Sequence, residues 1–281
     1  MDRRGVLSGL STAALLAPFI SLHGAIQAQE ASAAASSHND LSALPDLQMM
    51  GSERVAMVMF PGFTALDLVG PHYFFACMMG AQVDLLTTAA DTKPVASDLA
   101  LAIAPDRTVG QATDQYDLLF LPGGTTGVIA AMQDTALLDF LRNQSEGARY
   151  MTSVCTGAAI LGQAGLLAGK RATSHWAIRD QLDAFGAIPT NERVIRDGKV
   201  ITGAGVSAGL DLALEIVAEL RGKDYARALT LQAEYAPQPP FEGGTLDGSK
   251  PAIAESMKSM FQGFSDEVRT LAAPRSSAAR S

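Results

Sequence analysis

The sequence predicts an α/β sandwich with a mostly parallel sheet, and three observations carry that reading. Short apolar runs alternate with helical stretches from residue 53 to residue 241. Several of those runs stop at glycine-containing turns, as buried parallel strands do. The 281 residues, 48% apolar and 18% charged, are enough for one domain of about 200 residues with a full core, plus tails. The net charge of −8, with no basic stripe, argues against a nucleic-acid surface. Two cysteines, Cys77 and Cys155, make no disulfide framework, and neither CxxC nor paired-histidine spacing supports zinc. No motif for a cofactor is present.

Residues 1–28 read as a cleaved leader. Arg3-Arg4 precede an apolar run from Val6 to Ile20, and small residues follow up to Ala28. The run is short for a span and contains Gly9 and Pro18, which favours a signal peptide over an anchor. The arginine pair points to twin-arginine export and a periplasmic or otherwise exported protein, with no membrane contact after cleavage. Residues 29–52 are Ala/Ser-rich and polar, and read as a linker without fixed structure.

The folded domain, 53–241, opens with a buried strand, Arg54 to Phe60, ended by Pro61-Gly62. Asp67 is the only charge in the apolar stretch between Arg54 and Asp84, apart from histidine. Pro71 suits the first position of a helix over His72–Met79, which gives Cys77 a packing role. Gln82 to Thr88 is the second strand, and Lys93 to Ala104 reads as a hairpin around Ser97-Asp98. Asp117 to Leu121 is a third buried strand, closed by Pro122-Gly123-Gly124. Asp134 to Glu146 is an amphipathic helix with Leu137, Leu138 and Leu141 on one face. Lys170 to Thr173 reads as a strand, and His175-Trp176 as the start of a helix. Asp197-Gly198 marks a hairpin between Glu192–Arg196 and Lys199–Thr202. Helices follow over Leu210–Leu220 and Asp224–Tyr235, and the 242–281 extension carries one more near Ala252–Leu271.

Between these lies the stretch Tyr150 to Ala159, a strand, a tight turn and a helix with Cys155 on the turn. The first amides of a helix lack internal partners and carry partial positive charge. A thiolate there is stabilised, so the spacing predicts a reactive cysteine with a lowered pKa. A buried, inert cysteine is the alternative. In parallel sheets the ligand crevice lies beyond the carboxyl ends of the strands. Asp67, Gly123-Gly124 and Cys155 all fall at such ends, and are expected to converge. Asp67 on its own would also suit a helix cap.

The segments FPGFTALDLVGP (60–71), LPGG (121–124), SVCTGA (153–158), ATSHW (172–176) and TGAGVSAGLD (202–211) together resemble the ThiJ/PfpI superfamily. Within it they are most similar to the isocyanide hydratase group. The likeness covers about Arg54 to Phe241. It implies a flavodoxin-like, three-layer sandwich related to class I glutamine amidotransferases, a homodimer, and no cofactor. It also implies a Cys155 nucleophile, with Asp67 as general acid, acting on a small electrophilic substrate. Thr156 would contribute its amide, and its hydroxyl, to the sulfur site, while Gly123 and Gly124 would supply amides to the substrate. The peptidases of the superfamily have histidine directly after the cysteine, where this chain has Thr156. His175 remains a candidate partner, with a structural role as the alternative. Related transcription regulators carry a helix-turn-helix domain, for which residues 242–281 are too short. Other cysteine hydrolases, glyoxalase-like enzymes and a non-catalytic redox sensor are the competing readings.

Overall fold

The computed structural model describes residue 44 and residues 47–272. The expected leader and most of the expected linker lie outside the described residues. The central sheet has seven strands in the order β10-β11-β7-β6-β1-β2-β5. These are β1 (Arg54–Met59), β2 (Gln82–Thr87), β5 (Arg107–Thr108), β6 (Leu118–Leu121), β7 (Tyr150–Val154), β10 (Val194–Asp197) and β11 (Val200–Gly203). All neighbours are parallel except β10 and β11, which form the hairpin expected at Asp197-Gly198. The hairpin around Ser97-Asp98 is also present, as β3 (Val95–Ala96) and β4 (Ala102–Ile103), outside the central sheet.

Helices α1 (Ala65–Ala76), α5 (Ala208–Arg221) and α6 (Lys223–Gln232) pack together in one layer. Helices α2 (Thr126–Gln133), α3 (Thr135–Gly147), α4 (Ala158–Gln163) and α7 (Pro251–Ala272) form the other. The sheet between them is apolar on both faces. Val55 to Met59 and Leu118 to Leu121 have no exposed side chain, and the Phe75 ring meets the Phe120 ring edge-on at 6.1 Å. This is why those strands read as continuous apolar runs rather than alternating ones.

Several local expectations are corrected. The first helix starts at Ala65, not His72, and contains Pro71. Gly70 and Pro71 lie against Leu210 and Gly209, so the Gly-Pro and Ala-Gly-Leu-Asp motifs are a close helix–helix crossing. Helix α2 and strand β5 are additional elements, too short to show a period. The strand expected over Lys170–Thr173 shrinks to β8 (Arg171–Ala172), paired with β9 (Ile188–Pro189) outside the main sheet. His175-Trp176 form a turn, and a 3₁₀ helix follows at Arg179–Phe185. The end of the expected linker is bound to the domain. Gln48 N donates to Arg221 O at 2.7 Å and Gly51 N to Met79 O at 3.1 Å. Arg221 is fully buried and must be paired, so its guanidinium takes Glu53 and the Met49 carbonyl.

Candidate active site

The chain runs from β1 outward to β2 and β5, then returns to β6 on the other side of β1. That reversal is the switch point of the sheet. Asp67 enters from the first turn of α1 after β1, Gly123 and Gly124 follow β6, and Cys155 follows β7. The structure therefore brings together these four residues, with Thr156 next to Cys155 against Gly124.

Cys155 has φ +57°, the left-handed region that a side-chain-bearing residue adopts only under constraint. A 3₁₀ turn, Cys155–Gly157, leads directly into α4. Gly157 is required because a Cβ there would lie 2.6 Å from the Pro122 carbonyl oxygen and 2.7 Å from that of Leu121. The elbow is thus wedged against the end of β6.

Asp67 is fully buried, and its Oδ2 accepts from Gly123 N at 2.7 Å. Oδ1 is buried with no hydrogen-bond partner. Asp67 does not cap its helix: Thr64 is the N-cap residue, its amide donates to the Gly123 carbonyl, and its hydroxyl donates to Asp98 at 2.6 Å. Thr156 Oγ1 accepts from Gly124 N at 2.9 Å and donates to Gly124 O at 2.6 Å. Both its backbone amide and, more weakly, this hydroxyl also act on the Cys155 sulfur, as expected.

These bonds revise the role of the glycines. Each amide carries one proton, and both are already spent, on Asp67 and on Thr156. Gly123 and Gly124 hold the acid and the threonine in place instead of facing the substrate. A Cβ on Gly123 would lie 2.6 Å from Thr156 N and Oγ1 and 2.9 Å from Asp67 Oδ2, so only glycine permits this contact.

The electrostatics also depart from expectation. Burial raises the Asp67 carboxyl to about 7, with the Gly123 amide and the Cys155 thiol opposing and the charge of Asp98 adding. Burial, and then the charge of Asp67, push the Cys155 thiol well above its usual range, against the Thr156 amide. The expected lowering at the helix start does not occur. Helix α4 has only six residues, and its amides are outweighed by the loss of water and a neighbouring carboxylate. The pair is suited to holding one proton between them. A thiolate beside a neutral carboxylic acid carries the same proton count as a thiol beside a carboxylate, and only the former offers both nucleophile and acid.

His175 lies close in the chain fold but not as a base. Its amide donates to the Cys155 carbonyl at 3.2 Å, and Nδ1 accepts from Ala177 N at 3.3 Å. Burial lowers its pKa to about 4, so the ring is neutral. The ring packs against Trp176 and against Phe261 of α7. The residue that sequence reasoning missed is its neighbour, Ser174, whose hydroxyl donates to the Cys155 carbonyl at 2.6 Å. Its signal was present in the ATSHW segment, where attention goes to the titratable histidine.

Among the described residues no group of three or more His, Cys, Asp or Glu could hold a metal ion, and no helix is long and apolar enough to cross a membrane. A cleft of about 440 Å³ opens elsewhere, beyond β2 and β5, with Thr87, Thr108, Asp134 and Phe140 in its wall and neither Asp67 nor Cys155.

The pattern of the DJ-1/PfpI family matches residues 53–219. The isonitrile hydratase of Pseudomonas putida is 43% identical over 221 residues, which is 79% of this chain and 90% of that protein. A crystal structure of a THiJ/PfpI family protein from Pseudomonas syringae superposes with a TM-score of 0.78 at 45% identity, covering 82% of this chain and 97% of the other. Drosophila melanogaster DJ-1beta superposes with a TM-score of 0.61 at 25% identity, covering 66% and 100%.

Proposed function

The chain belongs to the DJ-1/PfpI family, and from that premise we propose that it hydrates isocyanides to N-substituted formamides. The observation that carries the reading is a buried Asp67 carboxyl, raised to about 7, acting on a strained, buried Cys155, in a chain 43% identical to an isonitrile hydratase. Cys155 and Asp67 are the catalytic residues of the proposal, and Thr156, Gly123 and Gly124 support them.

The steps balance with water as the only co-reactant. The thiol proton passes to Asp67 as the sulfur attacks the terminal carbon of R–NC. Asp67 returns that proton to the carbon, giving a thioimidate, Cys155-S–CH=N–R. Asp67, again a carboxylate, takes a proton from water as the water oxygen adds to the C=N carbon, then passes that proton to the nitrogen, giving Cys155-S–CH(OH)–NH–R, whose hydroxyl proton returns to the pair as the adduct collapses. The tetrahedral adduct expels the sulfur, the formamide leaves, and the pair regains its one proton. General acid–base help of this kind is worth roughly 10²–10⁴-fold. A carboxyl with a pKa near 7 is matched to both directions of transfer.

The test is formamide production from simple alkyl and aryl isocyanides, with mass spectrometry of the quenched protein. The expected result is turnover and an isocyanide-sized adduct on Cys155. Turnover of methylglyoxal in place of isocyanides would move the assignment to a glyoxalase-like enzyme. Peroxide modification of Cys155 without turnover would move it to a sensor. Two further properties belong to the same proposal. Exposed Leu66, Val69 and Tyr73 make one apolar stripe along α1, which supports a homodimer. Arg3-Arg4 ahead of the Val6–Ile20 run supports export. Sedimentation velocity and cell fractionation check the two.

A further inference from the structure

We propose that Ser174 is a positioning residue for the nucleophile, its hydroxyl holding the Cys155 carbonyl and so keeping the elbow in the left-handed conformation that turns the sulfur toward Asp67. The inference rests on the reading of Cys155 as the reacting thiol.

A side-chain-bearing residue held at positive φ is strained and persists only where its surroundings over-determine it. Two other such residues among those described, Ala100 and Glu234, are exposed, whereas Cys155 is buried in the core. Its carbonyl accepts from two donors: Ser174 Oγ at 2.6 Å and the His175 amide at 3.2 Å. The shorter bond is the side chain's. Ser174 is fully buried, and its one hydroxyl proton goes to that carbonyl.

The donor is itself held from two sides. Thr173 N donates to Thr202 Oγ1 of β11 at 2.9 Å, which ties the segment to the sheet beside β7. On the far side His175 and Trp176 pack on Phe261, with ring centres 5.6 and 5.4 Å away. Phe261 belongs to α7, beyond the family match at residues 53–219. A hydroxyl so anchored can resist the torque of a strained peptide. Without it the carbonyl keeps only the longer amide bond, and Cys155 is free to relax toward negative φ and carry its sulfur off Asp67.

The test compares Ser174→Ala and Ser174→Thr in a Cys77→Ala background, so that only Cys155 reports. The rate of Cys155 alkylation by iodoacetamide is followed against pH, alongside kcat and KM for isocyanide hydration. For Ser174→Ala the expected result is loss of the alkylation step near pH 7 and a kcat lower by about 10²-fold, with KM changed by less than about twofold. Ser174→Thr, which retains the hydroxyl, is expected to restore both. A folded Ser174→Ala protein with the parental profile and kcat overturns the proposal. So does a folded Ser174→Thr protein as impaired as the alanine variant. Should Ser174→Ala not fold, Ser174→Thr decides: the parental profile supports the proposal and its loss overturns it. If the parent protein turns over no isocyanide, the hydratase reading fails, while the alkylation profiles still decide the role of Ser174.

Discussion

The two cysteines of this chain occupy opposite settings. Cys77 is the more accessible; it ends α1 in ordinary right-handed geometry at φ −80°, and its sulfur lies 3.6 Å from the neutral Gln232 amide. Cys155 is only 5% exposed, sits at φ +57° and shares its surroundings with a buried carboxyl. Accessibility alone would favour Cys77 as the reactive thiol. A carboxyl placed to accept and return a proton, and a backbone constrained to present the sulfur, favour Cys155. In a buried site, then, the means of moving a proton outweighs exposure.

The widest break in that contrast comes from removing each thiol in turn. Cys155→Ala is expected to abolish formamide production, a loss of more than about 10³-fold. Cys77→Ala removes a half-buried side chain remote from the elbow and is expected to leave kcat/KM within about twofold. Steady-state kinetics of both variants check this. Equal losses would erase the distinction.

A smaller but more diagnostic effect is the response to pH. Below about 7 the pair holds two protons, thiol and carboxylic acid, and has no base to receive the thiol proton. kcat/KM should therefore rise as pH climbs through about 7, and Cys77→Ala should keep that profile. Stability moves the other way. The Asp67 pKa is raised from 3.8 to about 7, so the unfolded chain ionises first, and stability is lost across that interval as pH rises. Asp67→Asn keeps an acceptor for the Gly123 amide but cannot ionise. It is expected to lose roughly 10²–10⁴-fold in kcat. It should also be the more stable protein at pH 8 by a few kcal/mol, with the gain vanishing near pH 4, since each pKa unit is about 1.4 kcal/mol. Kinetics and chemical denaturation across pH read the two halves separately.

Much of this site is legible in the sequence. The apolar runs of β1, β6 and β7 are long enough to identify as buried strands, and their carboxyl ends locate Asp67, Gly123 and Cys155 together. What is illegible is the direction in which each hydrogen bond points. A Pro-Gly-Gly turn looks the same whether its amides face a substrate or, as here, Asp67 and Thr156. The sign of the Cys155 shift was also hidden, because a helix start and a burial depth compete and only the first leaves a local pattern. Pro71 misplaced the start of α1, since a proline suits the first turn of a helix and its acceptance in the interior depends on packing against Gly209. Ser174 acts across a gap of 19 residues on a backbone oxygen, a contact with no periodicity to betray it.

The finest distinction between the two cysteines is the shape of the wall around the reactive one, and Gly123 measures it. Nothing of comparable tightness is needed where Cys77 sits at the end of a helix. Gly123→Ala places a methyl group 2.6 Å from Thr156 N and Oγ1 and 2.9 Å from Asp67 Oδ2, closer than real Cβ contacts come. The neighbours are a backbone amide and a side chain held by its own hydrogen bonds, so neither can swing aside cheaply. Overpacking of this kind costs about 1–3 kcal/mol, and the variant should still fold. The methyl group would push Asp67 and Thr156 apart, and kcat should fall by about tenfold or more, the expected cost of a sub-ångström displacement at a reacting pair. Thermal unfolding and kcat together check this. A variant that loses stability yet keeps full turnover would show that the contact serves packing alone.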